Sequence, residues 1–334
     1  MTRPVCVTGG AGMIGSRLVR ALTEAGHQVV VIDNLWRGKL RHLAAIPGFD
    51  VGSQFHKIDL ADYTEMPRVV KIFAQCGTVI HLADIVAGIG YVFNNQYEIF
   101  RVNNLINTNT FKACVDAEVG KVLYAGTACS FPKQLQLSLD SVLREELLFP
   151  AEPESAYGWS KLVGSLELQY MAAAHGTKAT TLILHNVYGP NCDIDPKRSQ
   201  VIPSIIRRMV ELDEGGTLTV WGSGKQGRAF LHVDDVADAF MSALEIDELP
   251  SVIQIGPDYC TSIRELVETL RDTVIGKDIN VEYDTTKPEG DIGRCADYSL
   301  ATKILGWSPK VSFEEGLADT YRWISDELKV KQPA

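Results

Sequence analysis

Several features common in other chains are missing here, and each absence narrows the possibilities. None of the seven cysteines (Cys6, Cys76, Cys114, Cys129, Cys192, Cys260 and Cys295) is spaced from another as C-x-x-C, and their number is odd. Neither a disulfide framework nor a zinc or other metal site is therefore expected, and a reducing cytoplasm is the compartment that fits. No apolar run approaches the roughly 20 residues of a membrane helix, and Met1 leads almost directly into strand-like sequence without the regions of an export signal. Positive charge is in deficit. Thirty-two Lys and Arg against 42 Asp and Glu leave a formal charge of −10, the wrong sign for holding nucleic acid or an anionic membrane through the overall field. An anionic ligand would need a local basic pocket. Low-complexity tracts and repeats at a period of about 20 to 50 residues are also lacking, which sets aside solenoids and propellers.

What is present is alternation. With 334 residues, 46% hydrophobic and 22% charged, the chain is long enough for about two structural units of ordinary globular composition. Short β-branched runs at 5–7, 29–32, 78–82, 121–124, 180–184 and 252–255 are separated by longer stretches with helical periodicity. Near-continuous apolar strands between helices predict an α/β fold, a parallel sheet covered on both faces with ligands at the carboxyl ends of its strands. After Asn186 the pattern loosens into loops rich in Gly, Pro and Asp. Helices near 201–212, 262–273 and 313–328, a strand–helix pair near 230–246 and a strand and loop over 282–294 are expected there. The division predicted is 1–185 with a return excursion at about 230–256, and a smaller lobe made of 186–229 and 257–334.

The segment from Val5 to Leu18 reads as a strand, a glycine turn and an amphipathic helix start. It contains G-x-x-G-x-x-G at Gly9, Gly12 and Gly15, and G-x-G-x-x-G counted from Gly10. Glycine is needed because the turn takes positive φ and because backbone must approach a pyrophosphate closely. The next strand ends in Asp33, 18 residues after Gly15, where a carboxylate accepts hydrogen bonds from an adenosine ribose and repels a 2′-phosphate. NAD is thus expected rather than NADP, with Met13, Ile14, Asp59 and Leu60 along its path and Asp59 meeting the adenine amine.

Tyr157-Gly158-Trp159-Ser160-Lys161 places a phenol and an ammonium one turn apart on a single helix face, behind a cap at Pro153-Glu154-Ser155. A cation beside a phenol favours phenolate and is expected to lower its pKa from about 10, as the base of a hydroxyl-to-ketone oxidation requires. Lys161 is also placed to bond the nicotinamide ribose.

These motifs, together with His81-Leu82-Ala83, Asn103 in V-N-x-x-x-x-T, and Trp221-Gly222-Ser223-Gly224 followed by Phe230-Leu231-His232-Val233-Asp234-Asp235, run in the order of the extended short-chain dehydrogenase/reductase family. The chain resembles that family from about residue 3 to 325. The resemblance implies a Rossmann-type doubly wound sheet holding NAD, a smaller lobe for a nucleotide-diphosphate sugar, and a homodimer formed through the helices near 100–116 and 156–174. It also implies NAD contacts at Leu82, Ala83 and Asn103, a substrate-orienting hydroxyl at Thr127, and sugar-nucleotide contacts at Gly88, Asn186, Arg228 and Arg294.

Thr127 is followed by Ala128-Cys129 and not by the Asp-Glu pair of the family's dehydratases. Gly126-Thr127-Ala128-Cys129-Ser130-Phe131-Pro132 is similar to the GDP-mannose 3,5-epimerases and GDP-fucose synthases, in which such a cysteine is an acid/base. Phrases such as 150–158, His185-Asn186-Val187-Tyr188-Gly189-Pro190 and 288–294 resemble the 3,5-epimerases most. Oxidation at C4 acidifies the protons at C3 and C5, which a thiol can shuttle. One position departs: the opposing Lys or His of those enzymes falls at or near Gln200, whose amide does not titrate. Lys197, Cys192 or a water would have to take its place, or the chain inverts C4 alone, which needs no such group. Net reduction of a 4-keto sugar is the remaining alternative.

Overall fold

The computed structural model describes residues 3–139, 141–287 and 292–331. Pro288 to Asp291, within the phrase that ends at Arg294, lie outside the described residues. In chain order β1 (Val5–Thr8), α1 (Met13–Glu24), β2 (Val29–Asp33), α2 (Leu40–Ala44), α3 (Val51–Gln54), β3 (Phe55–Lys57), α4 (Met66–Phe73) and β4 (Thr78–His81) make the first half of a parallel sheet and its helices. There follow α5 (Ile89–Asn94), α6 (Gln96–Asp116), β5 (Lys121–Thr127), β6 (Val142–Leu143), α7 (Ala156–His175), β7 (Lys178–Leu184), β8 (Asn186–Tyr188), α8 (Val201–Glu211), β9 (Thr217–Trp221), β10 (Gly227–Arg228) and β11 (Phe230–His232). The chain ends with α9 (Val233–Glu245), β12 (Val252–Ile255), β13 (Thr261–Ser262), α10 (Ile263–Glu268), β14 (Asn280–Asp284), β15 (Cys295–Ala296), α11 (Ser299–Leu305) and α12 (Phe313–Lys331).

Seven strands form one sheet in the order β12-β7-β5-β4-β1-β2-β3. β1 and β5 are buried throughout, as strands covered on both faces must be. One face packs on α1, α9 and α11 through Leu18, Val19, Leu22, Phe240 and Ala301. The other packs on α4, α6 and α7 through Phe73, Phe111 and Leu168. The order reverses between β1 and β4, which lie side by side with Thr8 opposite His81. A crevice opens at such a reversal, beyond the strands' carboxyl ends, and both glycine turn and His81-Leu82-Ala83 point chain into it.

A further apolar cluster gathers Ile206 and Met209 of α8, Leu218 and Val220 of β9, Leu266 of α10 and Leu317 of α12. β11 pairs with β8, and β12, after α9, closes the edge of the large sheet beside β7. The helix expected over 262–273 is α10, begun by a reciprocal cap between Ser262 and Glu265, and it continues as π-helical turns from Thr269 to Ile275 before Gly276 stops it at φ +65°.

The cysteines depart from expectation at one place. Cys260 and Cys295 form a disulfide, with Cα atoms 5.4 Å apart. β15 pairs with β6, and the Ala296 N–H donates to Pro257 O at 3.1 Å, which lays the two cysteine segments side by side. The remaining thiols, Cys6, Cys76, Cys114, Cys129 and Cys192, are free.

Candidate active site

Above the sheet's carboxyl edge lies a cavity of about 1110 Å³, larger than one small ligand fills. Its floor is the glycine turn. Gly9 takes φ +71°; a Cβ there would meet Ala83 N at 2.9 Å, and one at Gly15 would meet Gly9 O at 2.2 Å. Gly12 opens α1 without a side-chain cap, and Gly12 to Gly15 line the cavity, which leaves a helix N-terminus facing whatever anion enters. Asp33 stands at the end of β2. Its Oδ2 accepts from Ala11 N–H at 3.0 Å and its Oδ1 from Leu35 N–H at 2.7 Å. Burial raises this carboxyl's pKa, and the two backbone bonds oppose that. Asp59 and Leu60 follow β3 along the same wall, with Asp59 Oδ1 accepting from Ala61 N–H at 3.0 Å. A cradle that any Cβ would fill, a helix N-terminus and an acid at the strand end fit a dinucleotide.

The reactive groups meet because α7 begins close to β5. Ser155 caps α7 by accepting from Gly158 N–H at 3.3 Å. Gly158 lets the first turn touch the segment after β5, since a Cβ there would lie 2.1 Å from Cys129 O. Tyr157, Lys161, Thr127 and Cys129 consequently share one wall of the cavity. Lys161 is buried, 1% exposed, with Nζ 3.1 Å from Asp84 Oδ2 and 4.4 Å from the centre of the Tyr124 ring. The Tyr157 hydroxyl donates to the same Asp84 oxygen at 3.4 Å.

One expectation fails at this wall. Lys161 does not bring the phenol toward neutrality: burial first, then the Asp84 carboxylate, hold the Tyr157 pKa well above its ordinary value, while a bond with Thr127 opposes them.

The substrate-side candidates line the same cavity. Arg294 is 7% exposed, and its Nη1 donates to Gln136 Oε1 at 3.2 Å and to Cys129 Sγ at 3.5 Å. Arg228 on β10 is half-buried, Asn186 begins β8, and both line the cavity. Gly88 donates its N–H to Arg198 O at 2.8 Å, tying the loop after β4 to the segment before α8. Gln200, the residue before α8, lines the cavity with no capping bond of its own, and exposed Lys197 lines it too.

Two of the expected placements are corrected. Asn103 does not line the cavity: fully buried, it accepts from Ile85 N–H at 2.7 Å and donates to Ile85 O at 3.2 Å and Ser160 Oγ at 3.3 Å. It anchors the loop after β4 to α7. Cys192 also lies away from the cavity, in an apolar cluster, where burial pushes its thiol up to about 12, so it is no partner for Cys129. Asp84 escaped the reading of the sequence. The available signal was its place directly after His81-Leu82-Ala83, where a parallel sheet of this kind puts ligands.

The profile of the NAD dependent epimerase/dehydratase family matches residues 5–256. GDP-L-fucose synthase 1 of Arabidopsis thaliana is 32% identical over 326 residues, covering 96% of this chain and 92% of the relative. GDP-mannose 3,5-epimerase 1 of Oryza sativa subsp. indica is 27% identical over 326 residues, covering 97% and 82%. Among solved structures, UDP-glucose 4-epimerase from Thermotoga maritima with UDP-glucose superposes with a TM-score of 0.83 at 29% identity, covering 97% of this chain and 99% of that one. The chain is thus an enzyme with NAD as its cofactor, and it belongs to the NAD dependent epimerase/dehydratase family of extended short-chain dehydrogenases/reductases.

Proposed function

We propose that this enzyme epimerises a nucleotide-diphosphate sugar through transient oxidation at C4, in the manner of a GDP-mannose 3,5-epimerase. The observation that carries the reading is the convergence of Tyr157, Lys161, Thr127 and Cys129 on the cavity that the glycine cradle floors. Gly9 to Gly15, Asp33, Asp59 and the Leu82-Ala83 edge would hold the dinucleotide, which when bound supplies the acceptor for the C4 hydride. Tyr157 takes the proton of the C4 hydroxyl, Thr127 orients that oxygen, and the Lys161 ammonium offsets the charge left on the phenol. The C4 ketone acidifies C3–H and C5–H, and the Cys129 thiol, beside the Arg294 guanidinium, exchanges those protons. Tyr157 then returns its proton to the C4 oxygen, and with the hydride restored there the cycle would be redox-neutral. Arg228 and Arg294 give the acidic protein its local positive charge for the diphosphate, and Asn186, Gly88 and Gln200 contact the sugar.

A second reading is favoured by a specific residue. Gln200 cannot donate or remove a proton, and Cys192 is buried elsewhere; Lys197 is the titratable side chain nearest Gln200 in sequence that lines the cavity, with Glu211 farther along α8. If Lys197 does not serve, inversion at C4 alone remains, in which the keto sugar turns over and the same hydride returns to its other face. Net reduction of a 4-keto sugar would instead consume added reduced cofactor stoichiometrically. A homodimer through α6 and α7 is part of the proposal, and a cytoplasmic setting accompanies it.

The test is incubation with GDP-, UDP-, ADP- and dTDP-hexoses in D2O, followed by mass and NMR analysis of the recovered sugars. Deuterium at C3 or C5 is the expected result. An inverted sugar free of solvent label would move the assignment to C4 epimerisation, and no altered sugar at all would reject both.

A further inference from the structure

Asp84 lines the cavity, touches both members of the Tyr157–Lys161 pair, and has no part in the reaction as proposed. It follows β4 and Ala83, its side chain is 12% exposed, and its Oδ2 stands 3.1 Å from Lys161 Nζ and 3.4 Å from the Tyr157 hydroxyl. The position is built. The neighbouring Ile85 has both backbone polar groups bonded to Asn103, which also donates to Ser160 Oγ on α7. The carboxylate is therefore fastened to the helix that carries the two residues it touches.

We propose that Asp84 is a positioning residue of the proton-transfer step: its carboxylate balances the Lys161 ammonium, accepts from the Tyr157 hydroxyl, and so governs when that hydroxyl gives up its proton. This rests on the reading of Tyr157 as the proton-transfer group. The groups facing the phenol are Tyr124 and Thr127 from β5, Cys129 from the turn beyond with Arg294 behind it, and Asp84, while Lys161 of α7 lies against Asp84 and the Tyr124 ring. A cation near a phenol favours phenolate and an anion disfavours it, so Asp84, in contact with both the Lys161 ammonium and the Tyr157 hydroxyl, opposes the effect for which Lys161 would otherwise be placed. The resting site then presents a proton donor, suited to a carbonyl oxygen, and it becomes a base only when the balance between Lys161 and Asp84 is broken.

The experiment compares Asp84→Asn, which removes the charge at nearly constant shape, and Asp84→Glu, which keeps it, with the unaltered enzyme. Two quantities are read: tyrosinate absorbance during alkaline titration, with Tyr157→Phe identifying the transition that belongs to Tyr157, and the pH profile of kcat/KM. In Asp84→Asn that transition moves to lower pH by about one to three units, and the acidic limb of the profile, on which the base must lose its proton, moves with it; Asp84→Glu restores both. A residue that merely holds the loop would lower the rate and leave transition and limb in place, and that result overturns the proposal. Should the Asn variant not fold, Asp84→Ser repeats the comparison. If no nucleotide sugar is turned over by the unaltered enzyme, the proposed function fails while the absorbance titration still decides what Asp84 does to Tyr157.

Discussion

A methyl group at position 15 would lie 2.2 Å from the Gly9 carbonyl oxygen and 2.5 Å from Gly10 Cα, contacts that only a shift of the turn could relieve. Gly15→Ala should therefore leave the core intact and deform the cradle. An overlap cost of about 1–3 kcal/mol corresponds to NAD binding weaker by roughly 5- to 150-fold. Cofactor retained through purification and the dissociation constant for added NAD measure it; unchanged values would remove the turn from the cofactor site. Residues of this kind were legible because their chemistry is local: Gly9 to Gly15 and Asp33 are held to one strand–turn–helix–strand unit, and their spacing carries the meaning. Asn103 and Cys192 were misplaced because an amide or a thiol looks the same in sequence whether it faces a ligand or fastens a loop. Asp84 was invisible for a related reason. It acquires a role only when α7 brings Lys161 and Tyr157 to it from more than seventy positions away.

At the scale of elements, α6 and α7 lie against each other and still leave large apolar side chains in water. Tyr97 on α6 is 77% exposed and Tyr170 on α7 is 75% exposed, with Phe100, Leu105, Trp159 and Val163 also exposed along the pair. Clustered aromatic exposure of this kind marks a docking face. The unaltered protein should run at the mass of a dimer in light scattering, and Trp159→Glu with Tyr170→Glu should shift it toward the monomer; a monomeric unaltered protein would reject the interface. Helix and strand positions were largely readable, α7 because Ser155 caps it and Gly176 ends it. The disulfide was not, since Cys260 and Cys295 are 35 positions apart and meet only through the pairing of β15 with β6 and its contact with Pro257. Nor was the passage of α10 into π-helical turns, which no residue pattern in that segment announced.

For the whole molecule, three of the four buried histidines among the described residues carry the largest shifts and dominate the response to acid. His81 bonds Thr8 Oγ1 at 2.7 Å and Asn107 Oδ1 at 3.2 Å. Burial, followed by the nearby Lys161, pushes its pKa down to about 3. Burial likewise takes His185 to about 3 and His42 to about 4. All three are neutral in the folded protein at pH 7. Below about pH 6.5 the unfolded chain gains protons that the folded one refuses, so stability is fully present above that pH and is lost as pH falls, by about 1.4 kcal/mol per pH unit for each histidine. The buried carboxyls Asp33, Asp235 and Glu145 have raised pKa values and act in the opposite sense, at lower pH where carboxyls titrate. Between about pH 7 and 5.5 Tm should therefore fall steadily, and a flat Tm over that interval would show that the imidazoles take up protons without unfolding.

The large sheet also imposes an order on synthesis. β7 is covered on its outer side by β12, and residues 185–251 intervene between them in the chain. At about 5–20 residues per second, β7 leaves the ribosome on the order of ten seconds before its partner exists. For that interval a strand whose residues from Thr180 to Leu184 are buried in the finished protein presents an open edge, the template on which nascent chains pair wrongly. Solubility during production is thus governed by how quickly the stretch carrying Asn186, Gln200 and Arg228 is made, since its completion is what delivers the last strand.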